Sequence, residues 1–180
     1  MNNALAPHLT LPAPGIYTLD LGRSALTFTS KALWGTQVVT GRFPLLGGII
    51  RIADPIERSM VVASAAATGF ESGNETRDAH VRSASYLDAE HYPEIVFRSA
   101  GFTREVDHWL LRGALTVRGT ARDVVWTVTD LTSGAGSLVA AATAVVDRYE
   151  FGITTGRGKT GRYQRLSLDV VGALGRTGGR

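Results

Sequence analysis

A chain of 180 residues fits one domain and can bury a sizeable core, or a smaller core wrapped around a cavity. It contains no cysteine, which excludes disulfides, thiolate-held metals, iron–sulfur clusters and a cysteine nucleophile. The net charge is +3 and arginine supplies nearly all the cations, Lys31 and Lys159 being the only lysines; the arginines are scattered rather than clustered, so the charge predicts no nucleic-acid partner.

Residues 1–14 carry Pro7, Pro12 and Pro14 and show neither a leader pattern nor periodicity, so they read as a disordered arm. No run approaches the ~18 apolar residues of a membrane span. The expectation is a cytoplasmic protein with at most transient membrane contact. From residue 24 onward the hydrophobic period is two. Leu26, Phe28, Ser30, Ala32 and Trp34 share one face of a first strand, with Thr27, Thr29 and Lys31 on the other. A second extended run covers 38–52, where Gly41 and the pair Gly47 and Gly48 predict bulges or sharp bends. A third strand covers 56–68. Asn74 is a natural N-cap for a short helix over 75–82, with Glu75 and Asp78 in the first turn. A further turn falls near 86–90, and Pro93 restarts the chain as a strand. Strands over 94–102, 110–118, 122–131, 138–147 and 164–173 follow, separated by turn residues such as Arg118 with Gly119 and Ala135 with Gly136. The fold class is all-β: an antiparallel barrel of eight strands, lipocalin-like, with a short helical insertion around 75–90. The barrel domain is placed at 15–174, with a flexible tail over 175–180.

Two strands have unusually small walls. Alanines crowd 56–68 and 138–147, and alanine is a poor strand former with little side chain to pack. A barrel of about eight strands is just wide enough to be filled by side chains or to hold one small ligand. Small walls favour the hollow interior; filling by Phe28, Trp34, Phe97 and Trp126 is the alternative. The expected lining is Phe28, Trp34, Met60, Val62, Phe97, Trp126 and Phe151.

Specific residues carry more than this pattern. Tyr17, Leu19 and Asp20 precede a strand with Ser24, Leu26 and Phe28. Val39, Gly41 and Phe43 form V-x-G-x-F. Arg77, Asp78 and His80 precede Tyr86, Leu87 and Asp88, then Tyr92, Pro93, Ile95 and Phe97. Gly113, Leu115, Thr116, Arg118 and Gly119 form G-x-L-T-x-R-G. Asp147, Arg148, Phe151 and Gly152 form D-R-x-x-F-G. In this order, over about 16–174, the chain resembles the YceI-like family of lipocalin-like, polyisoprenoid-binding barrels, with Val81 and Tyr86 as mild departures. The resemblance implies an elongated apolar tunnel. It also implies a carrier of an isoprenoid or other long-chain lipid, such as a polyprenyl phosphate, a quinone or an acyl lipid, acting as a monomer or homodimer without a cofactor. The expected ligand-binding set adds Arg77, Asp78, His80 and Arg148 to the apolar lining, and one of the neighbours Asp147 and Arg148 is expected at the barrel mouth, meeting a polar head group.

Other motifs carry less. The loop 156–161 matches G-x-G-x-x-G, but it leads into a strand where a dinucleotide site needs a helix, and reads as a basic hairpin loop. Asp78, His80, Glu90 and His91 have the residue types of a metal or acid–base site, but Asp78 and His80 are two apart on a helix and point in different directions. No catalytic or metal-binding residue is assigned. The rival functions are an enzyme using Asp78 and His80 on a lipid-like substrate in the same cavity, and an interaction barrel with a filled core.

Overall fold

The computed structural model describes residues 10–32, 35–106 and 108–175. Ten strands and one helix follow in order: β1 (Gly15–Leu19), β2 (Ala25–Ala32), β3 (Gln37–Phe43), β4 (Leu45–Ile52), β5 (Met60–Ala66), α1 (Glu75–Arg82), β6 (Glu94–Arg104), β7 (Trp109–Val117), β8 (Thr120–Gly134), β9 (Ser137–Asp147) and β10 (Thr160–Leu174). All pairings are antiparallel. Neighbours run β1, β4, β5, β6, β7, β8, β9, β10, and the β1–β10 pairing closes the ring. Along β10 the C-terminal part pairs with β1 and the N-terminal part with β2. Likewise β4 pairs with β1 and β3 with β2, and Pro44 alone separates β3 from β4. Thus β1 with β2, and β3 with β4, each act as one bent stave, and the barrel is a closed antiparallel barrel of eight staves.

The bend in the 38–52 run differs from the sequence expectation. Pro44, which has no N–H to donate to a ladder, makes the break. A bulge between Leu45 and Gly47 follows it. Gly41 makes no bulge: it pairs in register with Phe28. A Cβ there would lie 2.5 Å from the Phe70 ring, and Phe70 is only 1% exposed. Gly41 therefore makes room for Phe70. Gly41→Ala is expected to destabilise the fold by about 1–3 kcal/mol through overpacking, read as a lower urea midpoint with unchanged slope.

Two other expectations shift. The strand placed at 56–68 begins at Met60, after a 3-10 turn over Ile56–Arg58. A short strand, β1, precedes the first one read from periodicity. Of the arm at 1–14, residues 1–9 lie outside the described residues. The rest is seated: the Thr10 amide donates to Leu131 O at 2.8 Å, Tyr17 Oη donates to Ala13 O at 2.9 Å, and Pro12 is buried. Residues 176–180 of the expected tail also lie outside.

The helix runs over 75–82, and the side chain of Asn74 accepts from the Arg77 amide, as its N-cap position requires. The segment that leads into it runs along β3 beyond the end of β5. There Arg42 and Glu71 form one isolated bridge, and Phe70 packs edge-on to Phe28 with ring centroids 5.8 Å apart. The segment after α1 turns back through Asp88, in the left-handed region at φ 49°, into β6. The β7–β8 hairpin turns at Arg118 (φ 50°) and Gly119 (φ 68°), the primed geometry that suits twisted strands.

Candidate functional site

The staves alternate in and out, and the inward set is apolar: Leu26 and Phe28 on β2, Val61, Ala63 and Ala65 on β5, Ile95 and Phe97 on β6, Leu115 and Val117 on β7, Trp126 on β8, Leu166 and Leu168 on β10. They surround a cavity of about 340 Å³ at the end that α1 covers. A second compartment of about 90 Å³ lies toward the opposite end, among Ile50, Phe102, Leu131, Leu138 and Val170. Val61, Leu111, Ala142 and Leu168 are walls of both. The alanines do what their size dictates: Ala63, Ala65 and Ala142 leave the middle of the barrel open.

Of the expected lining, Phe28, Phe97, Trp126 and Phe151 face the main cavity, and so do Arg77, His80 and Arg148. Met60 and Val62 do not. Met60 is 48% exposed, and Val62 pairs with Ile49 on the outer wall, where Ile49 is itself exposed. The inward parity of β5 is Val61, Ala63, Ala65, one residue out of step with the expectation. Both parities of that strand are small and apolar, so its pattern carries no register. Trp34 lies outside the described residues. Asp78 is 6% exposed but faces away from the cavity: its carboxylate accepts from the Ser72 amide at 3.0 Å and from the Ser72 hydroxyl.

Asp78 and His80 thus do not meet as acid and base. His80 packs edge-on to Tyr86, ring centroids 5.0 Å apart. His91 pairs with Asp88 at 2.8 Å, and that hydrogen bond holds its imidazole above the ordinary value of 6.5. Among the described residues no group of three or more His, Cys, Asp or Glu is placed to hold a metal ion.

The polar end of the cavity is built around Arg148. It is 5% exposed, and carbonyls take its N–H groups: Nε donates to Gly161 O at 2.8 Å, Nη1 to Ile153 O at 2.7 Å, Nη2 to Thr160 O at 3.1 Å. The loop 156–161 leads directly into β10, as the sequence required, and its carbonyls hold this guanidinium. Neighbouring Asp147 pairs instead with Arg162 and caps the Tyr149 amide at 3.0 Å. Tyr86 closes the group, its hydroxyl 3.3 Å from Thr160 Oγ1 and its ring 5.9 Å from the Arg148 guanidinium. Gln164 donates from Nε2 to Gly161 O at 2.6 Å. Sequence reading missed Tyr86 and Gln164 as site residues. Gln164 keeps the inward parity of Leu166 and Leu168, and a polar residue at such a position was the available signal.

Two carboxylates, Asp78 bound to Ser72 and Asp147 paired with Arg162, have acidities set by their partners. Burial pushes Asp78 up, but the Ser72 hydrogen bonds and the charges of Arg77 and Arg82 outweigh it and hold the carboxyl below 3.8. Asp147 is held below 3.8 first by its bond from Arg162, against burial, with help from the Tyr149 amide. A depressed folded value means stability that is complete above the unfolded value and is lost as pH falls through the folded one. Melting temperature should therefore decline below about pH 4, and Asp78→Asn should flatten part of that decline in a pH series of thermal melts.

Taken together, fold and cavity define a closed antiparallel barrel with a predominantly apolar, hollow interior and one polar end. The model of the YceI-like domain matches residues 17–172, and the chain belongs to that family. A curated relative, the UPF0312 protein plu2095 of Photorhabdus laumondii, is 32% identical over 56 residues, covering 31% of this chain and 29% of the relative; the chain thus matches less than a third of that relative's length. Among solved structures, BcnA of Burkholderia cenocepacia is similar at TM-score 0.78 and 18% identity, over 85% of this chain and 98% of that one. A polyisoprenoid binding domain from Saccharophagus degradans, implicated in plant cell wall breakdown, is similar at 0.68 and 14%, over 88% and 98%. The Campylobacter jejuni YceI protein is similar at 0.58 and 19%, over 77% and 85%. These likenesses are of fold. Among the described residues no helix is long and apolar enough to cross a membrane.

Proposed function

We propose that the protein binds, and stores or carries, a polyisoprenoid or other long-chain apolar ligand inside the barrel and does no chemistry on it. The observation that carries the reading is the hollow apolar interior, with its second compartment sharing walls with the first. Burial of a flexible chain there contributes roughly 25 cal/mol per Å² of apolar surface removed from water. A polyisoprenoid heads the list because a similar fold is described as a polyisoprenoid binding domain. Against the enzyme alternative stands the separation of Asp78 from the cavity. The polar atoms that do line it belong to two guanidiniums, Arg148 held by three carbonyls and Arg77 bound to Ser72, with an amide, hydroxyls and an imidazole against a tyrosine ring. Equilibrium dialysis with geranylgeraniol should give saturable, one-to-one uptake and return the alcohol unchanged. Uptake that never saturates would contradict the binding reading, and recovery of a modified product would favour the enzyme.

A further inference from the structure

The interior is not uniformly apolar: among the described residues three buried side-chain atoms lack a hydrogen-bond partner, the donor Trp126 Nε1 and the acceptors Asp130 Oδ1 and Gln164 Oε1, and of the two acceptors only Gln164 Oε1 belongs to a residue of the cavity wall. Gln164 is 4% exposed and lines the main cavity. Its Nε2 donates to Gly161 O at 2.6 Å, which fixes the amide orientation: a flipped amide would set Oε1 against that carbonyl oxygen. Oε1 therefore points the other way, and among the described residues it receives no hydrogen bond. Arg148 shares the same acceptor, since its Nε also donates to Gly161 O, at 2.8 Å. The two side chains are thus neighbours on the cavity wall. A guanidinium has five N–H groups; three of those on Arg148 go to carbonyls, which leaves two. An acceptor lacking a donor sits beside donors with capacity to spare.

We propose that Gln164 and Arg148 form a seat for a hydroxyl head group, so that the preferred ligand of the barrel is a long-chain alcohol; the proposal rests on the reading of the barrel as a chain-binding protein. The hydroxyl hydrogen goes to Gln164 Oε1, and the hydroxyl oxygen accepts from Arg148. A hydroxyl meets both needs with one atom pair. A bare hydrocarbon leaves the buried acceptor unpaired, which is destabilising. A fully ionised phosphate satisfies Arg148 but has only acceptors to turn toward Oε1. The seat therefore selects by the donor on the head, whereas the apolar walls select only by chain shape.

The test compares twenty-carbon probes with one chain and different heads: geranylgeraniol, its methyl ether, its phosphate monoester and the parent hydrocarbon. Binding is read by quenching of intrinsic tryptophan fluorescence in the wild-type protein and in Gln164→Leu. The alcohol should bind the wild type about tenfold more tightly than the methyl ether, the scale of one buried hydrogen bond. In Gln164→Leu that preference should shrink to about twofold or less, while the hydrocarbon binds more tightly than it does to the wild type, because the acceptor it leaves unpaired is gone; an unchanged far-UV circular dichroism spectrum reports an intact barrel. The ether comparison needs no variant, so it stands even where Gln164→Leu fails to fold. Equal binding of alcohol and ether by the wild type overturns the seat and leaves the chain-binding reading standing. A phosphate that binds more tightly than the alcohol, in both proteins, also overturns it. Failure of all four probes to bind overturns the seat together with the reading beneath it.

Discussion

Ala142→Phe is expected to abolish ligand uptake while the barrel stays folded. Ala142 is a wall of both compartments, so a ring there fills the waist between them. The loss should be about a hundredfold or more in affinity, equivalent to about 2.7 kcal/mol. The ligand-free protein should melt within a few degrees of wild type, because the new ring enters a hollow and not a packed core. Ordinary overpacking would destabilise by about 1–3 kcal/mol, so a melt beside each binding curve separates blocking from misfolding. Unchanged uptake by a folded Ala142→Phe protein would place the ligand somewhere else.

The second large effect concerns Arg148. In Arg148→Met the carbonyls of Gly161, Ile153 and Thr160 lose their donor together. A buried acceptor left unsatisfied costs about 1–3 kcal/mol, and these three are not additive because the loop that carries two of them can relax. A total near 3 kcal/mol is the expectation, a fall of about 6–12 °C in melting temperature for a domain of this size. Arg148→Lys should recover little of it, since an ammonium is a compact point charge and cannot span the three directions that the planar fork reaches. Full rescue by lysine would mean that the charge matters and the fork does not.

How much of this was legible in the sequence differs from element to element. The helix over 75–82 was readable because its cap is local: one asparagine side chain meets an amide three residues on. The long strands were readable where one face is apolar and the other polar, as in β2. In β5, Met60, Val61, Val62 and Ala63 are apolar on both faces, and a one-residue error in parity sent Met60 and Val62 to the lining in place of Val61 and Ala63. Only pairing with β4 and β6 sets that register. Gly41 was read as a corner because a glycine in a strand reports a missing Cβ and not the reason for it. The reason, Phe70, lies 29 residues away. The polar end was half visible. Arg148 was singled out, but its partners are backbone carbonyls, which no residue type advertises. Gln164 became a site residue only when its amide orientation was set by a carbonyl three residues earlier.

The central claim is that the barrel interior is occupied by a long apolar chain in the cell. Native mass spectrometry of the protein purified from its own host, with organic extraction of the same sample, tests it most directly. The account predicts one co-purifying long-chain molecule per wild-type polypeptide and none with Ala142→Phe. A wild-type protein at the bare polypeptide mass, which also takes up no prenyl alcohol, quinone or fatty acid when these are offered, would contradict it.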